Sequence, residues 1–298
     1  MISRIDYRFA CSVVALAAAG ALTECQATAQ DGFGASIRSS MTFHASFDGS
    51  VDADFAKGDR RLRTAPGSDK RTNAIEGLPK EGNVQLAPEL GKYGGAIRFQ
   101  KSIQPIVFYQ GAKNLPSLRP DWECTVSFWL RTDPLKDLRE GFCDPIQITS
   151  KQWDDAAVFV EFEKRGERVP FRLGVYADKN VWNPTGRAFE TIPAAERPLA
   201  SVDRSPFFSG EWTHVLFTLK GFNTGKTNGE SKLYLNGKLA AELSPREQTF
   251  TWQEDQSAIM IGLSYMGLMD DLAIFDRALT SEEVAYLHAL PKGVRGLP

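Results

Sequence analysis

The tightest constraint on what this chain can become lies near its C-terminus, where the hydrophobic period switches from two to helical within a few residues. Ala258–Leu263 sets Ile259, Ile261 and Leu263 against smaller neighbours, the alternation of a half-buried strand. Gly267 marks a turn, and Asp271–Phe275 reads as a second short strand. Thr280 and Glu283 then form a capping box, in which the hydroxyl and the carboxylate each take a backbone N–H that the first helical turn leaves unpaired. Val284, Leu287 and His288 follow at helical spacing, and Pro291 ends the segment. A chain that finishes this way closes a sheet with a strand and docks one short helix.

Upstream, period two dominates. Met41–Phe47 sets Met41, Phe43, Ala45 and Phe47 against Thr42, His44 and Ser46, and Asp48-Gly49 ends it. Further strands are expected at Ala96–Gln100, Cys124–Arg131, Pro145–Ser150, Ala157–Lys164, Phe171–Ala177 and Thr213–Leu219. Asn236-Gly237 between Lys232–Leu235 and Lys238–Leu243 is the pattern of a two-residue type I′ hairpin. Val51–Asn83 holds few large apolar residues and reads as a surface loop or insertion. Lys179–Gly210 is a long connection whose aromatics and prolines favour an ordered, functional loop. With no repeat or heptad, the expected fold is a single all-β antiparallel sandwich with one C-terminal helix. Its core would join Val126, Phe128, Leu130, Val215, Phe217, Leu219, Ile259, Ile261 and Leu272.

Four stretches in order carry a family resemblance. They are Gly91-Lys-Tyr-Gly-Gly-Ala-Ile-Arg-Phe99, Thr125-Val-Ser-Phe-Trp-Leu-Arg131, Glu211-Trp-Thr-His-Val-Leu-Phe-Thr-Leu219 leading to Leu233-Tyr-Leu-Asn-Gly-Lys238, and the acidic-acidic-apolar strand with its Arg-Ala-Leu-Thr helix start from Asp270. Together they resemble the laminin G-like domains of the concanavalin A-like lectin and glucanase superfamily, over about residues 40–290. The resemblance implies a two-sheet jelly roll, with domain bounds near 36–291. It implies no single activity, because this fold carries lectins, adhesion modules and hydrolases.

Residues 1–29 read as a signal peptide: Arg4 and Arg8 precede an apolar run to Leu22, and Ala27-Thr-Ala29 offers a cleavage site. The run is short of the ~20 residues that span a bilayer. Glu24 before Cys25 disfavours a lipid anchor, so a secreted or periplasmic protein is expected. No other stretch is long and apolar enough for a membrane span. A net charge of −2 argues against capture of nucleic acid or anionic membranes. Cys124 and Cys143 remain after cleavage. In an exported protein they are expected to form a disulfide worth ~3 kcal/mol, the alternative being two buried free thiols.

Several outward positions could carry function. Trp129, Glu161, Glu163, Arg172, Tyr176, His214 and Tyr234 all oppose the core-facing residues of their strands. In jelly rolls of this superfamily a concave sheet often holds sugar, so these are groove candidates; the plain alternative is ordinary solvated or interlayer side chains. A family 16 glycoside hydrolase motif would need Asp where Glu163 stands, and Glu167 falls in a turn. A jelly-roll alginate lyase is matched at Gln147 and Tyr176, but Thr149 replaces its His. Neither match is complete. His44, His214 and His288 lack zinc spacing, and no Gly-x-Ser-x-Gly elbow occurs. The resemblance further implies one structural calcium held by Asp48, the Gly95 carbonyl and Asp271 or Asp270. The expected function is non-catalytic binding of an extracellular glycan or protein surface. A polysaccharide-active enzyme or a structural envelope component is the alternative, and the oligomeric state is not legible.

Overall fold

Two antiparallel sheets face each other in a computed structural model that describes residues 32–102, 105–116 and 118–298. The signal peptide expected over residues 1–29 lies outside the described residues. The first sheet has nine strands: β1 (Met41–Ala45), β2 (Phe55–Ala56), β5 (Val84–Ala87), β6 (Ala96–Phe99), β8 (Trp122–Arg131), β13 (Thr213–Phe222), β14 (Gly229–Leu235), β15 (Lys238–Arg246) and β17 (Gly267–Phe275). The second has eight: β3 (Arg63–Ala65), β4 (Ile75–Glu76), β7 (Ile106–Gln110), β9 (Gly141–Thr149), β10 (Ala157–Lys164), β11 (Phe171–Tyr176), β12 (Leu199–Val202) and β16 (Ala258–Leu263). The central order is β15-β14-β13-β8-β17-β1-β2 in the first sheet and β12-β11-β10-β9-β16-β7-β3-β4 in the second. This is the two-sheet sandwich with one short C-terminal helix that the alternation predicts.

The nine core residues named from the sequence all lie in one buried cluster between the sheets. Period two places them there, since alternate side chains of a strand share a face. Asn236 and Gly237 both have positive φ, 49° and 76°, as a type I′ turn requires. The turn is tied to β13, because the Asn236 side chain accepts the His214 N–H at 2.9 Å. The helix Ser281–Ala289 begins on the expected capping box. Val284 and Leu287 pack on Met41, Leu216, Tyr234, Ala273 and Phe275, forming a second buried cluster outside the first sheet.

Three expectations need correction. The last strand does not begin at Asp271 after a turn at Gly267: β17 runs from Gly267 to Phe275, with a bulge between Asp270 and Ala273 and Asp271 at φ 52°. The bulge inserts an extra residue, which leaves neighbouring Asp270 and Asp271 both available on the outer side. Residues 51–83 are not merely a surface loop. Ala53 and Leu62 are fully buried in the main core and β3 pairs with β7, two small contributions that hydrophobic content alone could not reveal. The expected disulfide is absent: Cys124 and Cys143 are both free and buried. Cys124 lies near the start of β8, whereas Cys143 follows the turn at the end of β8. They therefore sit in facing sheets with roughly 20 Å of strand between their levels.

Candidate functional site

The outward candidates divide between two surfaces. Alternation tells inside from outside on each strand but not which sheet a strand joins, so the sequence groups residues that the fold separates. Trp129, His214 and Tyr234 lie outside the first sheet, and Glu161, Glu163, Arg172 and Tyr176 lie outside the second.

The first set is sealed. Trp129, His214 and Tyr234 are buried beneath the C-terminal helix and its flanks. His288 stacks on Trp129 with centroids 5.5 Å apart, His214 lies 4.9 Å from the same ring, and the Lys92 ammonium sits 4.7 Å above it. His214 Nε2 bonds to Ser127 Oγ at 2.8 Å, while its Nδ1 is buried without a partner. Burial, then the neighbouring His288, depresses the His214 pKa to about 3. A neutral imidazole locked under a helix is packing, not a ligand surface.

The second set lines an open groove of about 690 Å³. Glu161 and Arg172 face each other across β10 and β11. The Arg172 Nε donates to Glu161 Oε1 at 3.0 Å, and its other nitrogens reach Glu161 and Glu163. Arg165 holds the far oxygen of Glu163 at 2.7 Å. One guanidinium thus bridges both carboxylates, an arrangement that fixes each rotamer. Burial still outweighs Arg172 and raises the Glu161 pKa. Tyr176 is buried rather than presented: it stacks on Phe159 at 5.5 Å, with Trp182 at 5.0 Å and Trp153 at 5.7 Å edge-on. Gly174 makes this floor possible, since a Cβ there would meet the Phe159 ring at 2.3 Å. Glu167, the third carboxylate of the hydrolase motif, is exposed in the turn beyond the groove.

Residues that the pattern did not single out complete the site. Trp153 and Phe142 are 48% exposed and offer ring faces. Phe189, with Arg197 4.4 Å above it, comes from the long 179–210 connection, which forms one wall of the groove. Gln147, matched above to the lyase strand, and Trp153 also line an adjoining cavity of about 910 Å³, so the concave face continues past the first groove. Asp144 is the least expected member. Val160 pairs with Ile146 and Phe162 with Cys143, so a bulge at Asp144-Pro145 lies opposite Glu161. It turns the Asp144 carboxyl into the groove, where among the described residues it has no hydrogen bond or ion pair. Burial, then the charge of Glu161, raises its pKa well above the usual carboxylate range.

The calcium ligands implied by the resemblance do not fit an ion as they are arranged. The Gly95 N–H, not its carbonyl, faces Asp48, donating to Oδ1 at 2.6 Å, and Arg295 pairs with the other oxygen. Asp271 takes His44 Nε2 at 2.8 Å and the Val294 N–H at 2.9 Å. Asp270 takes the Lys92 and Tyr93 N–H groups at 2.6 and 3.0 Å. Each carboxylate is met by hydrogen donors, which a cation would have to displace. Among the described residues no group of three His, Cys, Asp or Glu side chains is placed to hold a metal ion.

Comparison with known proteins places these observations. A family model described as the concanavalin A-like lectin/glucanases superfamily matches residues 111–285, more than half of the chain. No curated protein sequence matches. Among solved structures, the binding domain of botulinum neurotoxin serotype D aligns with a TM-score of 0.52 at 17% identity, over 85% of this chain and 52% of that one. A botulinum neurotoxin type C chain, described as dependent upon interaction with two ganglioside molecules, aligns with 0.51 at 14%, over 85% and 52%. The Trypanosoma rangeli sialidase aligns with 0.52 at 13%, over 86% of this chain and 33% of that one. This chain spans about half the length of the two neurotoxin chains, and at these identities the likeness is one of fold.

Proposed function

Since the chain belongs to the concanavalin A-like lectin/glucanases superfamily, we propose that it binds a glycan in the groove outside its second sheet. The observation that carries this reading is the pairing of half-exposed Trp153 and Phe142 rings with the fixed Glu161–Arg172–Glu163 network in one cleft of about 690 Å³. Apolar ring faces suit the C–H face of a sugar. Carboxylates and amides with free lone pairs suit its hydroxyls, and pockets of this size enclose small ligands. The type C neurotoxin, whose cell entry is described as dependent upon interaction with two ganglioside molecules, supports this reading through its similar fold. The signal-peptide pattern in residues 1–29 supports an exported place of action. Calorimetry against a panel of neutral and acidic oligosaccharides tests the reading. At least one should bind, and Trp153→Ala should weaken it by roughly tenfold, about 1.4 kcal/mol. A silent panel, or unchanged affinity in Trp153→Ala, would refute the site.

A second reading follows from Asp144. Burial and Glu161 raise the Asp144 pKa beside a second, arginine-bound carboxylate, and two carboxyl groups in unlike environments are what glycoside cleavage uses, one giving a proton and one remaining charged. Release of reducing ends from a bound oligosaccharide, lost in Asp144→Asn while binding persists, would favour an enzyme. Binding without turnover favours the lectin.

A further inference from the structure

The cover over the first sheet is incomplete. The C-terminal helix and the segments around it seal the half near Leu216, Tyr234 and Phe275. At the other end Leu268 is buried with Ala87, Ala96 and the half-buried Trp212, and a row of paired residues crosses the outer face beside a cavity. Gln85 pairs with Arg98, Arg98 with Leu268, and Leu268 with Arg131. Directly paired residues of antiparallel strands point to the same side. Met269 and Leu130, the next residues along, lie in the core, so the row points outward. The two arginines stand on either side of Leu268, with backbones roughly 10 Å apart, twice the strand spacing.

Their surroundings leave them without anions. Among the described residues neither guanidinium forms an ion pair, although two carboxylates line the same cavity. Asp133 is occupied by Lys136 at 2.8 Å, and Asp137 accepts the Asp133 N–H at 2.7 Å. Arg131 instead lies 5.3 Å over the Trp212 ring, a cation–π contact that holds the guanidinium against an apolar plate. Both arginines line a separate cavity of about 390 Å³, walled by Leu90 and Leu268. Two guanidinium forks with free donors suit an oxyanion, and the exposed Leu90 beside them suits the apolar face of a ring.

We propose that this pocket is a second ligand site, which takes an acidic sugar with its carboxylate between Arg98 and Arg131 and its ring against Leu90 and Leu268. The site lies on the opposite sheet from the groove, so it stands or falls independently of glycan binding there. A sulfate ester offers similar oxyanion chemistry, and the test separates the two.

The full chain is titrated calorimetrically with trigalacturonate, with neutral galactotriose and with a sulfated galactotriose. Trigalacturonate should bind and the neutral sugar should not reach this site. Arg98→Gln and Arg131→Gln should each weaken trigalacturonate by roughly tenfold, the scale of a lost charge-assisted hydrogen bond. Thermal melting verifies that each variant folds; Arg131→Lys, which keeps the charge but not the fork, serves if Arg131→Gln does not. An equal loss of neutral-sugar binding in the arginine variants would overturn the proposal. So would unchanged trigalacturonate affinity in both arginine variants, or binding of the sulfated sugar alone.

Discussion

The outer faces of the two sheets carry similar outward residues and meet opposite fates. Trp129, His214 and Tyr234 on the first sheet are covered by a helix whose chain comes from the far end of the sequence. Trp153, Phe142 and the Glu161–Arg172–Glu163 network on the second are left as a cleft. The same chemistry, aromatic rings beside titratable groups, is a second core in one place and a candidate site in the other. What decides is whether a distant element lands on it. Burial on the first face converts apolar area into stability, whereas the open rings of the second contribute little until a ligand covers them.

The largest expected difference is in stability. Leu287→Ala removes a buried side chain from the helix that seals the first face and should cost about 3 kcal/mol, within the 2–5 kcal/mol of such truncations. Trp153→Ala on the open face, where the ring is half-exposed and edge-on to Tyr176 and Phe189, should cost less, about 1 kcal/mol. Urea unfolding of both variants measures the gap. Equal losses would show that the groove is packed like a core and that the contrast between faces is false.

The two faces should also titrate with opposite signs. Burial holds His214 at about 3 against its ordinary 6.5, so the folded chain binds fewer protons than the unfolded one. The stability this contributes is fully present above 6.5 and drains away as the pH falls toward 3. At pH 5 the loss is about 2 kcal/mol, and His214→Phe should remove it. Asp144 runs the other way. Burial and Glu161 raise it above its ordinary 3.8, so its contribution is full below 3.8 and lost as the pH rises through the higher folded value. Asp144→Asn should therefore be more stable than the wild type at pH 7, with the gap closing below about pH 4. Melting curves from pH 4 to pH 8 check both. The comparison breaks if His214→Phe keeps the full acid loss, or if Asp144→Asn is less stable at neutral pH.

Local chemistry was legible in the sequence wherever it was strictly local. The alternation around Phe128, Phe217 and Ile261, the Asn236-Gly237 turn and the Thr280–Glu283 capping box all depend on neighbours within a few residues, and each stands in the structure. The site was legible only in part. Glu161, Arg172 and Tyr176 share a face because β10 and β11 form the expected hairpin. Trp129 and His214 were grouped with them because sheet membership is a long-range property that period two does not encode. Asp144 faces the groove through a bulge, and Trp153 stands in a turn, positions with no periodic signal. The disulfide failed for the same reason, since compartment says nothing about which ends of two strands meet.

The smallest expected effect concerns the edge where the C-terminal tail meets the first sheet. Asp48 follows the end of β1 and Asp271 lies in β17, and two carboxylates brought near each other need compensation. A calcium ion would supply it, and would stabilise the native state by RT ln(1 + [L]/Kd), about 2.7 kcal/mol at a hundredfold excess. The structure supplies other partners: Arg295 and the Gly95 N–H on Asp48, His44 and the Val294 N–H on Asp271. Gly94 and Gly95 are needed for this approach, since a Cβ on Gly94 would meet the Asp48 carboxylate at 2.1 Å. With donors already in place, millimolar calcium should leave the wild-type melting midpoint where chelator leaves it. Arg295 is 47% exposed at its side chain, so Arg295→Ala should cost no more than about 1 kcal/mol, the ceiling for a solvated pair. That variant is the sharper probe, because it frees one oxygen of Asp48. A calcium-dependent rise in the wild type would show that the ion displaces Arg295 and that this edge is a metal site. A rise confined to Arg295→Ala would show that the arginine occupies the place a cation could take.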